Sequence, residues 1–344
     1  MYYLIIFSIF AVLSIYNDKL KKIKYLDLFI FISIIFIAGT RWQVGGDWGA
    51  YTRYYDYVIE GKSLKDSALY YTLNIVFLLF KLDILGKNII VIILFLIPFF
   101  YIFKKFHQNI YLSLSIFFPI IFIIYGLGSI RQGLAMSYFF LFLYYEGSKF
   151  NRFLIFLTPF LFHNASIVLY LLYISSKLIN FESKKNFFLT ASIFLVLTLM
   201  IVFFNHDYVL DKVRYYILED TYHSTGAPIR AILLSFFSFI FLIRFKKLRI
   251  KNKEIKNFIF FSSIFVIILS PFSLYLSTPV DRILGFFLII KLMIVNEIIK
   301  SIKTKNEKKL YSIIFIIVSY VYLATWIFFG SSAQWWLRYE LPFV

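Results

Sequence analysis

Cysteine is absent from the 344-residue chain, which excludes disulfides, thiolate catalysis and cysteine-ligated metal sites. Charge is scarce too: 16% of the residues are charged, with 18 acidic against 36 basic side chains. The chain has no P-loop pattern, so any reaction must be driven by its substrate rather than by ATP. No basic segment precedes the N-terminal apolar run, which predicts a first transmembrane helix rather than a cleaved signal peptide.

Apolar residues dominate what is present, at 61% of the chain. Repeated apolar runs near spanning length, separated by lysine-rich connections, predict an all-α polytopic integral membrane protein with about twelve transmembrane helices. The weaker segment 67–83 is a candidate interfacial or re-entrant helix. The predicted spans are 2–16, 25–39, 88–103, 109–127, 131–146, 150–162, 164–179, 186–204, 229–245, 257–276, 281–299 and 310–329.

The basic loops predict an orientation for these spans. Lysine and arginine cluster in short connections, above all at 18–24, 244–256 and 300–309, and such loops stay in the cytoplasm. The net charge of +18 is therefore explained by topology and does not indicate a nucleic-acid partner. This orientation requires that 67–83 does not cross the membrane, and that 150–179 crosses it twice.

The chain is predicted to form a single transmembrane domain, 1–344. In the predicted orientation its polar features lie on one face of the membrane. The longest outward loops are 40–66 and 205–228, and all five tryptophans fall on the same side. The cytoplasmic connections are short and simple. We therefore expect any chemistry to face outward.

Three outward arginines, Arg41, Arg131 and Arg282, each lie in a turn beside a helix break. A single arginine at the edge of the hydrocarbon is explained by snorkelling to lipid phosphates. A set of three favours a functional role, because the guanidinium group binds phosphate oxygens in bidentate fashion. We expect them to bind a diphosphate, with Gln132 beside Arg131. Ser129 is expected to cap a helix that starts at Ile130.

Two residues are candidates for accepting a proton from a sugar hydroxyl. Asp47 lies in the glycine-rich loop VGGDW, where it is equally able to pair with Arg41 or Arg53. His163 follows the apolar run LTPFLF; histidine titrates near neutrality and is the usual general base, although most such residues only join helices. The outward face carries no Asp-x-Asp pair, so no metal is expected.

Aromatic side chains crowd the loop 40–66. Aromatic residues collect at membrane interfaces whatever the function, yet their flat faces also suit stacking on sugar rings. The candidates for glycan binding are Trp42, Trp48, Tyr51 and Tyr54.

A later turn, Ser-Thr-Pro-Val-Asp-Arg at 277–282, closes the set. Ser277 or Thr278 is expected to cap a helix that starts at Pro279. Asp281 suits the first turn of that helix, and Arg282 would then lie at the outer membrane surface.

Four short motifs, in order, resemble the EpsG-like family of Wzy-type polysaccharide polymerases. They are RWQVGGDWGAYTRYY, with the pattern Arg-x-x-x-Gly-x-Asp-x-x-x-Tyr, SIRQGLAMSYFFLFLYY, FLFHNASIVLYLLY and PVDRILGFFLI. The similarity covers nearly the whole chain in length and helix number. Gly46 departs from the pattern, because threonine or serine is common there. The matching positions are Arg41, Asp47, Tyr51, Arg131, Gln132, His163 and Arg282.

The resemblance implies a GT-C-like helical bundle and a glycosyltransferase without cofactors. Such polymerases transfer a growing glycan from undecaprenyl diphosphate to the terminal sugar of an incoming lipid-linked repeat unit. They work at the outer face of the bacterial inner or plasma membrane. The implied partners are the undecaprenyl-diphosphate-linked oligosaccharide and the lipid bilayer, and a chain-length regulator is a further candidate. The arginines would stabilise the departing diphosphate, and Asp47 or His163 would take the acceptor proton.

Other functions remain open at this point. An O-antigen ligase usually has a large late outer loop, whereas 205–228 is modest. A GT-C glycosyltransferase that uses a polyprenyl-phosphate sugar has the same build. A lipid-linked glycan transporter or flippase would place polar groups along a path through the membrane midplane. A membrane O-acyltransferase is disfavoured, since no histidine–acid motif faces a cytoplasmic acyl donor.

Overall fold

The computed structural model describes residues 2–20, 23–61, 68–178, 224–248 and 250–338. Within these ranges the regular elements are helices, and no strand is present. The first half contains α1 (Tyr2–Ile15), α2 (Asn17–Leu20), α3 (Leu26–Gly39), α4 (Trp48–Ile59), α5 (Ala68–Leu79), α6 (Ile84–Phe106), α7 (Ile110–Phe117), a π-helix (Phe118–Gly126), α8 (Ile130–Tyr144) and α9 (Lys149–Phe162). The second half contains a 3₁₀ turn (Asn164–Ser166), α10 (Ile167–Leu178), α11 (Ala227–Arg244), α12 (Lys253–Leu269), a 3₁₀ turn (Ser270–Leu274), α13 (Ser277–Phe286), α14 (Leu288–Ser301), α15 (Lys305–Phe329) and α16 (Gln334–Leu337).

The apolar runs of the sequence coincide with these helices to within a few residues. The run predicted at 281–299 is divided, because α13 ends at Phe286 and α14 begins at Leu288. The run at 186–204, and the loop 205–228 as far as residue 223, lie outside the described residues. The aromatic loop at 40–66 was expected to lack regular structure, but 48–59 of it forms α4.

Polar residues begin several of the helices. The Asp83 carboxylate accepts the Gly86 N–H at 2.7 Å at the start of α6, and the Asn109 side-chain oxygen accepts the Leu112 N–H at 3.0 Å at the start of α7. Asn252 does the same for the Ile255 N–H at the start of α12. These caps satisfy N–H groups that have no partner inside the helix, and they explain where the apolar runs become helical.

Large apolar side chains cover the outer faces of the helices, as expected of a membrane-embedded protein. Phe29 and Phe36 on α3 are 68% and 66% exposed, and Ile232 on α11 is 69% exposed. Within the described residues, four helices are long and apolar enough to span a membrane: Ile84–Phe106, Ala227–Arg244, Lys253–Leu274 and Lys305–Phe329. The count of about twelve spans and the GT-C-like arrangement stay predictions.

Two segments bear on the predicted orientation. The helix α5 has 12 residues, so it extends about 18 Å, which is less than the roughly 30 Å of the hydrocarbon core. The segment 150–179 breaks at His163, between α9 and the following turn, and resumes as α10. The helices α9 and α10, of 14 and 12 residues, are similarly short, so the crossings expected of 67–83 and 150–179 stay predictions.

The described chain forms two compact units, and the prediction of a single domain stays a prediction. Unit 1 comprises 1–166 and 302–344, and unit 2 comprises 167–301. In unit 1, α1 packs against α7 and α15, while α6 packs against α3 and α8. Phenylalanine rings fill the space between α6, α7 and α8. The Phe99 ring contacts those of Phe95, Phe117 and Phe140 in edge-on or tilted geometry, at centroid distances of 4.6–5.5 Å.

Unit 2 is organised around α11, which packs against α12, α13 and α14. The helix α10 packs against α12, where Tyr173 donates a hydrogen bond to Glu254 at 3.0 Å. This arrangement fixes α13, the helix that carries Arg282.

The loop before α4 lies against the turn before α8, and Gly45 makes this contact possible. Its φ of +107° belongs to the left-handed region, and a Cβ there would lie 2.3 Å from the Leu127 carbonyl oxygen. Its N–H donates to the Trp335 carbonyl at 2.9 Å. A side chain at this position would force the loop and the turn apart.

We expect Gly45→Ala to lower the free energy of unfolding of the detergent-solubilised protein by more than about 1 kcal/mol, because the left-handed backbone and the Leu127 contact both oppose a methyl group. Gly49→Ala is the matched control. Gly49 is exposed in α4, and a Cβ there would meet only the Arg53 guanidinium at an ordinary 3.7 Å, so alanine should stabilise by about 0.5–1 kcal/mol. Thermal unfolding of the two variants checks this. Equal stability of both would contradict the role of Gly45.

Candidate functional site

The loop 41–47 places its polar side chains against the turn that starts α8. Asp47 is the residue before α4, and its Oδ2 accepts the Ser129 hydroxyl at 2.9 Å. One turn further along α4, the Tyr51 hydroxyl accepts the Arg131 N–H at 3.3 Å. Two of the predicted motifs are thus joined directly, although 80 residues separate Tyr51 from Arg131 in the chain.

Arg41 is one of the largest fully buried side chains, at 1% exposure. Its guanidinium group donates to the Ala38 carbonyl at 2.9 Å and lies 6.0 Å from the centre of the Trp48 ring. A guanidinium group buried in this way is not snorkelling to lipid phosphates. The structure therefore disagrees with snorkelling as the explanation for Arg41.

Arg131 reaches the same region from α8. Its guanidinium carbon lies 5.4 Å from the centre of the Tyr54 ring. Tyr70, on α5, is within electrostatic reach of both Arg41 and Arg131, and its ring contacts Tyr51 and Tyr54 edge-on at 5.7 and 5.4 Å. The two arginines therefore converge on one cluster of tyrosines.

Burial raises the pKa of the Tyr51 hydroxyl to about 12, and the nearby Asp47 carboxylate raises it further, while Arg131 opposes the shift. The phenol therefore stays protonated at any physiological pH. Tyr51 is a hydrogen-bond donor and acceptor in this site and not a proton acceptor.

A recess opens beside this cluster, with an empty volume of about 410 Å³, part of it open to solvent. Its walls come from the loop before α4, from α4, α5 and α6, and from the turn before α8. The residues that line it are Arg41, Trp48, Tyr51, Thr52, Tyr70, Ile84, Lys87, Asn88, Val91, Leu127 and Ile130. Cationic, amide and aromatic groups thus face one space, as anionic and carbohydrate ligands require.

Sequence reasoning missed Lys87, Asn88 and Tyr70. Lys87 and Asn88 are 5% and 7% exposed, on the second turn of α6. The argument applied to the three arginines extends to Lys87, because a cation at the edge of an apolar run is costly wherever it occurs. The segment LDILGKNII, residues 82–90, has this feature, because Lys87 stands at the start of its apolar run.

Ser129 was expected to cap α8 with its side chain, and this expectation was wrong. The helix does begin at Ile130, but the Ser129 hydroxyl makes no cap hydrogen bond and donates to Asp47 instead. The expected pairing of Asp47 with Arg41 or Arg53 is likewise replaced by this contact. The hydroxyl therefore orients the Asp47 carboxylate.

The other predicted residues of unit 1 flank the cluster. Gln132 is buried in the first turn of α8. Trp42 and Trp48 contact each other at 5.8 Å, and Trp326 contacts Trp336 at the same distance. The tryptophans therefore gather at the end of unit 1 that holds the recess, since Trp335 also accepts from the loop at Gly45.

His163 ends α9 and is not among the residues that line the recess. Its Nδ1 accepts the Ala165 N–H at 3.2 Å. A backbone N–H can only donate, so this geometry places the proton of a neutral ring on Nε2. To act as a base, the imidazole would have to give up this hydrogen bond. Asp47 is likewise absent from the residues that line the recess, and the choice between Asp47 and His163 as proton acceptor stays a prediction.

Arg282 belongs to unit 2 and is exposed on α13. Its neighbour Asp281 is held by Arg230, which donates from Nε to Oδ1 at 2.6 Å and also from its second nitrogen to Oδ2. Ser224 adds a hydrogen bond to Asp281 at 2.8 Å. Arg230 had no support from the family resemblance, yet it anchors the turn that presents Arg282.

The expected cap of this helix was wrong as well. The helix α13 begins at Ser277, two residues before Pro279, and has no side-chain cap. Ser277 accepts the Ser224 N–H at 3.1 Å instead. The side chains of Ser277 and Asp281 thus fasten the turn to Ser224 and to Arg230 of α11, and do not cap their own helix.

Fold and site together define a helical, membrane-embedded protein with a cationic and aromatic recess in unit 1. The family model described as EpsG family matches residues 24–341, and the chain belongs to the EpsG family. It is accordingly a membrane protein of polysaccharide biosynthesis, in a family linked to glycosyltransferase-like polymerases. No curated protein and no solved structure gives a significant match to the chain.

The raised pKa of Tyr51 predicts a loss of stability at high pH. An unfolded tyrosine ionises near pH 10, whereas Tyr51 in the folded protein ionises near pH 12, so its contribution is complete below pH 10 and is lost between pH 10 and 12. Chemical unfolding across this range should show a steeper loss for the wild type than for Tyr51→Phe. Parallel pH profiles would show that Tyr51 is not buried as described.

The Arg230–Asp281 pair predicts strong coupling in unit 2. Arg230→Met and Asp281→Asn should each destabilise the protein by about 1–3 kcal/mol, because each leaves a partly buried charge without this partner. The double variant should cost much less than the sum, as a thermal-unfolding cycle would show. Additive losses would mean that the two side chains do not interact.

Proposed function

We propose that this protein is a polysaccharide polymerase. It transfers a growing glycan from undecaprenyl diphosphate to the terminal sugar of an incoming undecaprenyl-diphosphate-linked repeat unit. The proposal places this reaction at the outer face of the bacterial inner or plasma membrane. The observation that carries it is the convergence of Arg41, Asp47, Tyr51 and Arg131 on one cluster, beside a recess that Arg41 and Tyr51 line, in a member of the EpsG family.

The recess suits the leaving group of this reaction. As the glycosyl–oxygen bond of the donor breaks, its electron pair leaves with the diphosphate, and negative charge grows there. Arg41 and Arg131 would stabilise that charge, and the low polarity around buried Arg41 would strengthen the interaction. The protonated Tyr51 hydroxyl would donate a further hydrogen bond.

The acceptor hydroxyl is the second reactant. Its oxygen bonds to the anomeric carbon of the donor glycan, and its proton passes to the Asp47 carboxylate and then to solvent. The hydrogen bond from Ser129 fixes the orientation of that carboxylate. No oxidant, reductant or ATP is needed, because the sugar–diphosphate bond is itself activated.

The aromatic side chains would hold the glycan. Trp48 lines the recess, and the Trp42 ring contacts the Trp48 ring from the loop before α4. Their flat faces match sugar rings, and the neighbouring Tyr54 is part of the same cluster. The diphosphate contact expected of Arg282 stays a prediction, and His163 is proposed as a hydrogen-bond donor from Nε2.

Purified protein in nanodiscs should lengthen synthetic undecaprenyl-diphosphate repeat units in the presence of EDTA, giving a ladder of products on a gel. Arg41→Lys, Arg131→Lys and Asp47→Asn should each lower the rate by about 10²–10³, the usual effect of losing one group that stabilises a transition state. Arg53→Lys is the matched control, since Arg53 is exposed on α4 and should leave the rate unchanged.

Three results would reject the proposal in different directions. Full-length polymer from stably folded Arg41→Lys and Arg131→Lys would remove the site. A single repeat transferred to a different acceptor would indicate a ligase or a single-addition transferase. Movement of repeat units across a vesicle membrane without any product would indicate a transporter.

A further inference from the structure

Lys87 is a buried cation whose partners do not neutralise it. Its ammonium nitrogen donates one long hydrogen bond, 3.5 Å, to the Tyr51 carbonyl, and it lies 4.5 Å from the centre of the Tyr55 ring. Asp56 acts on it only from beyond ion-pair distance, and within the described ranges of the chain Lys87 forms no salt bridge. An ammonium group has three donors, so two remain for a ligand.

Asn88 adds a second polar group to the same wall. Within the part of the chain that the structure describes, its side-chain Nδ2 is buried without a hydrogen-bond partner. Leaving a buried donor unpaired costs about 1–3 kcal/mol. Lys87 and Asn88 both line the recess, so a ligand with oxygen acceptors would satisfy both groups at once.

Snorkelling does not account for this pair. A lysine that snorkels carries its ammonium group to water at the membrane surface, whereas the Lys87 side chain is 5% exposed and lies against α4. The same wall contains Arg41, so two cations and an unpaired amide face one small space without a carboxylate lining it. This arrangement is suited to an anion with several oxygen atoms.

We infer that Lys87 and Asn88 form a phosphate-binding subsite that takes the diphosphate of a prenyl-diphosphate ligand from the α6 side of the recess. The inference rests on the proposed function for the class of ligand. The Lys87 ammonium binds a phosphate oxygen through its two remaining donors, and the Asn88 amide donates to the same group.

The test uses the full chain in nanodiscs, with farnesyl diphosphate, farnesol and inorganic pyrophosphate as probes in calorimetric binding measurements. Lys87→Met keeps the length of the side chain and removes its charge. It should raise the Kd for farnesyl diphosphate at least tenfold, the loss expected for one charge-assisted hydrogen bond, and leave farnesol binding unchanged. Lys104→Met, an exposed lysine on the same helix, should change neither.

Stability separates a binding role from a structural one. Removing a buried charge that lacks an anionic partner should leave the Tm of the ligand-free protein unchanged or raise it. A lower Tm in Lys87→Met, with equal losses of farnesyl diphosphate and farnesol binding, would show that Lys87 only fastens α4 to α6 and would overturn the inference.

Asn88→Asp tests the subsite even if Lys87→Met fails to fold. It keeps the shape and places a negative charge beside Lys87, so it should weaken farnesyl diphosphate binding at least tenfold and spare farnesol. Unchanged binding would overturn the inference. Pyrophosphate that binds the wild type as tightly as farnesyl diphosphate would overturn the assignment to a prenyl ligand.

The two proposals fail separately. Absence of polymerisation while Lys87 still controls farnesyl diphosphate binding would reject the proposed function alone. Normal polymerisation together with wild-type affinity in Lys87→Met and Asn88→Asp would reject the subsite alone.

Discussion

The close approach of the loop before α4 to the turn before α8 is the contact on which the recess depends. Gly45 lets the two backbones meet, and the Asp47–Ser129 and Tyr51–Arg131 hydrogen bonds cross the same boundary. Together they set the position of α4, whose residues Trp48 and Tyr51 form one wall of the recess. Without that approach the acid and the phenol, on one segment, and the arginine, on another, would not meet.

Charge is treated differently in the two units. In unit 2, Arg230 meets Asp281 in a closed pair with both guanidinium contacts satisfied, as a structural role requires. In unit 1, Arg41 and Lys87 are as deeply buried, yet the recess they line contains no carboxylate. A buried cation is costly unless something compensates it, and within the described residues Lys87 forms no ion pair, so an anion is expected beside it in the recess.

Much of the fold was readable from the sequence, because apolar runs and the break at His163 are local signals. The predicted boundaries of α1, α3 and α9 agree with the structure to within about two residues. The site was readable in part: Arg41, Asp47, Tyr51 and Arg131 were named from motifs, and the structure brings them together. The directions of individual side chains could not be predicted. The Ser129 hydroxyl bonds to Asp47 instead of capping its own helix, and Lys87 lines the recess from α6. Such choices depend on which segments meet in space, and no local pattern records that.

The π-helix Phe118–Gly126 comes just before the turn that leads into α8, so the number of residues in it affects how that turn is placed. Its hydrogen bonds run from each residue to the fifth one along, so each residue turns the chain by less than the about 100° of an α-helix. The number of residues in the π-helix therefore sets the direction in which the following residues, Ser129 and Arg131, project. Replacing one of its isoleucines or phenylalanines with another large apolar residue changes little of that angle. Gaining or losing a single residue would rotate the turn before α8 and the residues that it carries, so the site depends more on the length of this stretch than on its composition.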